Sequence, residues 1–416
     1  HHSMKQLDIA IVGGSIAGCS AAILLARAGH RVRVLERSRG GLVGRGGGIG
    51  TPLPVLESLI AADLLDPGFP HLVSTSMPFI IRTEDEPERG HVPWEMPLSI
   101  AVFHWSALWN ELRRRVPDES YRGGCGVKGG TTLDDGVRLE LDDGTSEEVD
   151  LAIFADGYRS LGRSLLFPDA TLDYRGYMLW RGLLPEARMR DPGVPGSTMP
   201  RLSYRDGRGN MVAYLVPDEN GSTEPGRRLV NWAAYIPLPP DELDGFMVDR
   251  SGTRRTGTIP PGEMRPEREA DLKESMAAAL PEDYGAIVTD TTQTYVQLIY
   301  TSRVPSYGRD RMCLVGDAGS VAQPFTGSGV FKGQANTAGL IRAMEEHADL
   351  DDALSAWSEE QVATADRLLA LGEQMERAFI WNGLDLAHAD AAATERWWRK
   401  AVTFPEDFTY EDESAV

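Results

Sequence analysis

The chain has 416 residues, 42% of them apolar and 25% charged, which is room for a sizeable core and two or three domains. Its formal charge of −20 argues against nucleic acid and anionic membrane surfaces as partners. No apolar run reaches half a membrane span, and Cys19, Cys125 and Cys313 form neither a metal spacing nor a disulfide framework.

His1-His2-Ser3 reads as a tag remnant, so the natural start is expected at Met4. The first strand follows almost at once with no signal peptide before it, and the expected location is cytoplasmic. Leu7 to Val12 is short, apolar and rich in β-branched residues, which predicts a strand. It stops at Gly13-Gly14-Ser15-Ile16-Ala17-Gly18, and an apolar helical stretch follows from Cys19 to Ala28, closed by Gly29. A second strand, Arg31 to Leu35, ends in Glu36. This is the βαβ context of a dinucleotide fingerprint, with Ser15 at the middle glycine position. Glycines let the backbone approach a pyrophosphate on the helix N-terminus, and a carboxylate at Glu36 can accept from ribose hydroxyls.

Gly40 to Gly50 holds seven glycines around Arg45, a loop suited to close approach to a flat ring or a phosphate. Helices are predicted over Pro52 to Leu65 and Phe103 to Val116, with a hairpin over Met77 to Trp94 between them. Asp142-Asp143-Gly144 joins another hairpin, and Leu151 to Phe154 is a strand running into Asp156-Gly157, with Ser160 and Arg163 beyond. Strand-like runs at Tyr177–Leu183, Leu202–Tyr204, Met211–Val216 and Leu229–Pro237 predict an antiparallel sheet. Asp241 to Arg268 reads as loop with a short helix, and Tyr295 to Ile299 as a strand. Met312 to Val315 leads into Gly316-Asp317, then Pro324, Gly327-Ser328-Gly329 and a helix from about Val330 to Glu346. The last seventy residues are expected to be helical, with Trp357, Trp381, Trp397 and Trp398 packing on the body.

Three signals in this order (Gly13–Gly18 with Glu36; Asp156-Gly157 with Ser160 and Arg163; Gly316-Asp317 with Pro324 and Gly327–Gly329) resemble the single-component FAD-dependent aromatic hydroxylases of the para-hydroxybenzoate hydroxylase fold. Trp180-Arg181-Gly182 and Lys332 resemble the branch that includes 2,6-dihydroxypyridine 3-hydroxylase. The resemblance implies an α/β (α+β) chain in which a Rossmann-like FAD-binding domain (4–75, 97–173 and 285–345) interleaves with a mixed or antiparallel-sheet substrate domain (76–96 and 174–284). A helical segment, 346–416, closes the chain. It also implies FAD contacts from Gly13, Ser15, Ile16, Ala17, Gly18, Glu36, Arg37, Arg45, Gly48, Trp105, Val127, Asp156, Gly157, Gly316, Asp317, Pro324, Gly327, Ser328, Gly329 and Val330. Trp105, Ser320 and Phe331 depart from the family pattern, standing where an arginine, a histidine and an asparagine are usual.

The implied reaction takes electrons from a transient NAD(P)H. Oxygen adds to flavin C4a, and the hydroperoxide transfers OH to an electron-rich aromatic or hydroxylated N-heteroaromatic ring. Substrate contacts are expected from Arg181, Tyr204, Tyr214, Trp232 and Tyr235, and Tyr214 and His104 are the candidates for proton transfer. The partners implied are a small aromatic substrate and O₂, with no nucleic acid, membrane or metal, and a homodimer is left open. Two alternatives stand beside this reading: a flavin-dependent halogenase, faintly echoed in Trp232–Pro237, and a non-catalytic flavin-binding protein. A halogenase needs an early lysine, and residues 6–127 contain none.

Overall fold

The computed structural model describes residues 4–40, 42 and 46–407. The strand Asp8–Val12 lies at the centre of a six-stranded sheet, paired in parallel with Arg31–Leu35 on one side and Leu151–Phe154 on the other. Met312–Leu314 and Tyr121–Arg122 extend it in parallel, and Gly308–Arg309 adds an antiparallel edge. Ile9, Ala10, Ile11 and all of Leu151–Phe154 are buried, as expected of a parallel sheet covered on both faces. The helices Ile16–Arg27 and Lys332–Glu346 pack against each other beside it.

A nine-stranded sheet forms the second layer. Its order is Thr258–Ile259, Thr294–Thr301, Asp173–Pro185, Leu229–Pro237, Asn210–Val216, Arg201–Ser203, Leu72–Ile81, His91–His104 and Gly48–Pro52. All neighbours are antiparallel except Arg201–Ser203 against Leu72–Ile81. Side chains alternate between the two faces of each strand, and the two faces are covered differently. One packs Trp180, Trp232 and Met211 against the helices Pro266–Ala279 and Glu282–Thr289. The other carries Tyr177, Leu179, Ala233 and Tyr235 under the long helix Leu350–Glu376, the turn Arg377–Trp381 and the helix Ala391–Val402.

Several boundaries differ from those read off the sequence. The predicted hairpin is longer, Leu72–Ile81 with His91–His104, and it belongs to the large sheet. Phe103 and His104 end its second strand, so the helix begins at Trp105. The reason is a cap: His104 Nδ1 accepts from the Ser106 N–H at 3.1 Å. Pro52 starts no helix of its own but precedes Leu53–Ala61. A third strand, Val127–Leu133, joins the predicted hairpin Gly136–Leu141 and Ser146–Val149, and its Gly-Gly-Thr-Thr sequence gave no periodic signal.

Candidate active site

The carboxyl ends of the central parallel strands face a cavity of about 1010 Å³, placed where such sheets bind ligands. Gly13, Ser15, Ile16 and Ala17 line it beside Glu36 and Arg37, with Trp105 and Val127 from the next elements. Asp156, Gly157, Gly316, Asp317, Gly329 and Val330 complete the set predicted from sequence. Five expected residues lie elsewhere. Gly18 sits beneath the turn, where a Cβ would fall 1.8 Å from the Gly13 carbonyl oxygen. Gly48 is in the large sheet and donates its N–H to Asn231 Oδ1 at 2.9 Å. Pro324, Gly327 and Ser328 form the turn that delivers Gly329 and Val330 to the rim. Arg45 lies outside the described residues.

The cavity wall is held by short-range hydrogen bonds. Glu36 accepts from the Gly14 N–H at 3.0 Å and from the Ser38 N–H at 2.6 Å, while Trp109 and Tyr121 donate to the Gly14 carbonyl. Asp156 accepts from Ser160 Oγ at 2.5 Å and the Leu161 N–H at 2.8 Å, so its carboxylate anchors the helix Leu161–Leu166. Burial pushes its pKa up, against these hydrogen bonds. Arg163, buried beneath, donates to the carbonyls of Asp317, Ala318 and Tyr158, which ties the second motif to the third. Lys332, first residue of its helix, would oppose the helix dipole, but its ammonium lies 2.8 Å from Asp317 Oδ1. The N-terminus of Ile16–Arg27 has no side-chain cap and no acidic residue in its first turn. Its first N–H groups are donors suited to a pyrophosphate. The cavity, the uncapped helix end and the ribose-side carboxylate together fit FAD.

A second polar cluster adjoins the cavity behind Gly46 and Trp105. A Cβ on Gly47 would meet Tyr295 Oη at 2.7 Å and both Arg181 and Asn231 at 3.0 Å. Arg181 Nη2 donates to the Gly48 carbonyl at 3.1 Å. Arg181 Nε, Asn231 Nδ2 and Tyr295 Oη are buried without a partner among the described residues. Tyr214 and Tyr235 belong to the same sheet face, and burial pushes Tyr214 up to about 12, with Arg181 pulling it down. Burial also raises Tyr235, again against Arg181.

The other substrate and proton-transfer candidates are not brought here. Trp232 lies on the opposite face, donating Nε1–H to Thr291 Oγ1 at 2.9 Å. Tyr204 packs in that same far-side cluster. Both are corrected to core positions, because odd spacing along a strand sends side chains to opposite faces. Trp232 was also the centre of the halogenase echo, which thereby loses its geometric basis. His104 is the helix cap described above, and burial lowers its pKa. Sequence reasoning missed Ser38, Cys125, Gly126 and Asp142 on the cavity wall, where only the Gly123–Gly126 turn gave a hint. It also missed Arg201, whose residue type reads as surface.

Known proteins agree with this geometry. The FAD binding domain-like family matches residues 174–301, and the NAD(P)-binding Rossmann-like domain family matches 11–45. The chain is a flavin-dependent monooxygenase, with FAD as cofactor and NAD(P)H and O₂ as co-substrates. Within that class it resembles the aromatic hydroxylases, the dihydroxypyridine hydroxylase branch among them. It is 27% identical over 356 residues to 2,6-dihydroxypyridine 3-monooxygenase of Paenarthrobacter nicotinovorans, covering 85% of this chain and 87% of that one. It is 26% identical to 3-amino-4-hydroxybenzoate 2-monooxygenase of Streptomyces cremeus, over 82% of this chain and 79% of the relative. The solved 2,6-dihydroxypyridine-3-hydroxylase from Arthrobacter nicotinovorans superposes with a TM-score of 0.80 at 22% identity, covering 93% of this chain and 96% of that one. The reading as a non-catalytic flavin protein does not survive these likenesses. No described helix is long and apolar enough to cross a membrane.

Proposed function

We propose that the chain hydroxylates an electron-rich aromatic or hydroxylated N-heteroaromatic ring held between the cofactor cavity and the large sheet. One observation carries this reading: the side chains of Arg181, Asn231 and Tyr295, each with a buried polar atom that has no partner among the described residues, gather around Gly47, next to the Gly46 rim of the cavity. Buried groups without partners are costly and are expected to meet a polar ligand.

The chemistry supplied by bound FAD is hydride acceptance from NAD(P)H and activation of O₂ for transfer of one oxygen atom. The adenosine end would be held by Glu36 and the first turn of Ile16–Arg27. Asp317, charge-balanced by Lys332, would hold the ribityl hydroxyls, and the Gly329 and Val330 backbone would face the ring system.

The chain's own task is to orient the substrate ring, exclude water and manage the ring hydroxyl. Arg181 would stabilise negative charge on that oxygen as its proton becomes shared. Tyr214, kept neutral by burial, would hydrogen-bond to the hydroxyl rather than act as a phenolate. The C-terminal helices over the sheet would exclude water.

The test is a screen of phenols and hydroxypyridines under ¹⁸O₂, following NAD(P)H loss and product mass together. Product carrying one atom from O₂ is expected. Label from water, halide-dependent product, or peroxide alone with every ring would overturn the reading.

A further inference from the structure

Arg201 is 5% exposed and, among the described residues, its guanidinium forms no ion pair and no hydrogen bond; its Nε is buried without a partner. Three other buried or half-buried arginines are supplied. Arg163 holds three carbonyls, Arg175 pairs with Glu376 at 2.6 Å, and Arg228 pairs with Glu186 at 2.6 Å. What Arg201 has instead is aromatic: its guanidinium lies 4.0 Å from the Phe379 ring centroid and 5.1 Å from that of Trp398. These contacts fix its position but leave its N–H donors unused, an expensive arrangement for a buried cation.

Register explains where those donors stand. Arg201 is directly opposite Val212, Val212 opposite Ala233, Ala233 opposite Arg181, and Arg181 opposite Tyr295. Directly opposed residues point to the same face, so these five form one row across the sheet. The row has an arginine toward each end and two small side chains between them. Arg181 and Arg201 are three strand spacings apart, about 14 Å between backbones. Tyr214 flanks the row on one side and Tyr235 on the other. Val212 and Arg181 keep part of their surface accessible although the C-terminal helices cover this face. Arg181 stands at the cofactor end, against Gly48; Arg201 stands at the far end, under Phe379 and Trp398.

We propose that Arg201 is the anion-binding residue of this bed. It would take the carboxylate of an elongated hydroxyaryl acid whose ring lies against Arg181. The proposal rests on the hydroxylase reading above and narrows its substrate class: the acid group is separated from the oxygenated ring by a spacer, not attached beside the reacting carbon. Charge then pairs at the far end only when substrate is present, so Arg201 acts as a specificity residue.

The experiment uses the purified FAD-loaded protein without reductant, so that binding is read from the visible flavin spectrum and not from turnover. The probes are 3-(4-hydroxyphenyl)propionate and its methyl ester. In the wild type the acid should bind at least about tenfold more tightly than the ester, the size of one charge-assisted pair. Arg201→Gln should bring the two within about twofold, and Arg201→Lys should restore part of the preference. Thermal unfolding of the holoenzyme gives a second readout. Arg201→Met should melt at least as high as the wild type without ligand, because it removes an uncompensated charge, while the acid should raise only the wild-type Tm. An equal acid preference in wild type and Arg201→Gln, no preference in the wild type, or no binding of the acid would overturn the proposal. So would an Arg201→Met protein that melts lower and responds to the acid as the wild type does, since that marks a packing role. Failure of the hydroxylase reading would look different: the acid preference would persist while no ¹⁸O entered any product.

Discussion

The two halves of the site are built on opposite principles. Around the cavity nearly every named polar group is already matched: Glu36 with two backbone N–H groups, Asp156 with Ser160 and Leu161, Arg163 with three carbonyls, Lys332 with Asp317. Across the sheet bed, Arg181 Nε, Asn231 Nδ2, Tyr295 Oη and Arg201 Nε are buried without partners. A satisfied network rigidifies a cradle before its ligand arrives, whereas unmatched groups store affinity for something polar. On the function proposed above, the first region is a preorganised holder for a group that stays, and the second would receive a molecule that comes and goes.

Substitutions on the two sides should therefore separate cofactor retention from substrate binding. The largest effect is expected at Gly18, where any Cβ would fall 1.8 Å from backbone oxygen at Gly13 and the turn cannot keep its shape. Gly18→Val should yield protein with no bound flavin, judged by absorbance after purification; a yellow, fully loaded variant would break the contrast. Glu36→Ala comes next. It removes a carboxylate that buttresses the loop and would bind ribose, a loss on the order of 1.5–3 kcal/mol, so FAD affinity should fall roughly ten- to hundredfold. Titration of the apoprotein measures it, and unchanged affinity would reduce Glu36 to a loop brace. Arg181→Met should do the reverse: FAD stays bound, and the dissociation constant of a phenolic substrate rises about tenfold. Flavin loss in that variant would mean that Arg181 serves the cradle, through Gly48, more than the bed.

The contrast also explains what the sequence disclosed. The cradle is assembled from turns at strand ends, so its partners lie close together in the chain and its spacing is readable: Gly13 to Gly18, Asp156 to Leu161, Gly316 to Asp317. The strands Arg31–Leu35, Leu151–Phe154 and Leu229–Pro237 were legible to the residue for a similar reason, each a short apolar or alternating run bounded by turns or polar residues. The bed is assembled from register. Arg201 sits in a three-residue strand whose parallel pairing with Leu72–Ile81 has no local signature, and its neighbours in the row come from distant strands. One signal was available and unused. Trp232 and Tyr235 are three apart on one strand, so parity alone forbids both from facing the same ligand.

The smallest expected effect tests whether Tyr214 is as dehydrated as the bed requires. Burial raises its pKa from 10.0 to about 12, so the folded protein holds this proton at pH values where the unfolded chain releases it. A group of this kind contributes its full stabilisation below pH 10, and the contribution is lost as pH rises toward 12. Tyr214→Phe cannot ionise in either state. Relative to that variant, the wild type should therefore lose stability on the alkaline side alone, by ~1 kcal/mol at pH 11. Urea unfolding of both proteins at pH 8, 10 and 11 measures the difference directly. Tyr235 and the other buried phenols are common to both proteins and cancel. A wild-type-minus-variant difference that stays flat from pH 8 to 11 would mean that Tyr214 titrates like an exposed phenol. The bed would then be open to water at that point, and a neutral hydrogen-bonding role for Tyr214 would not stand.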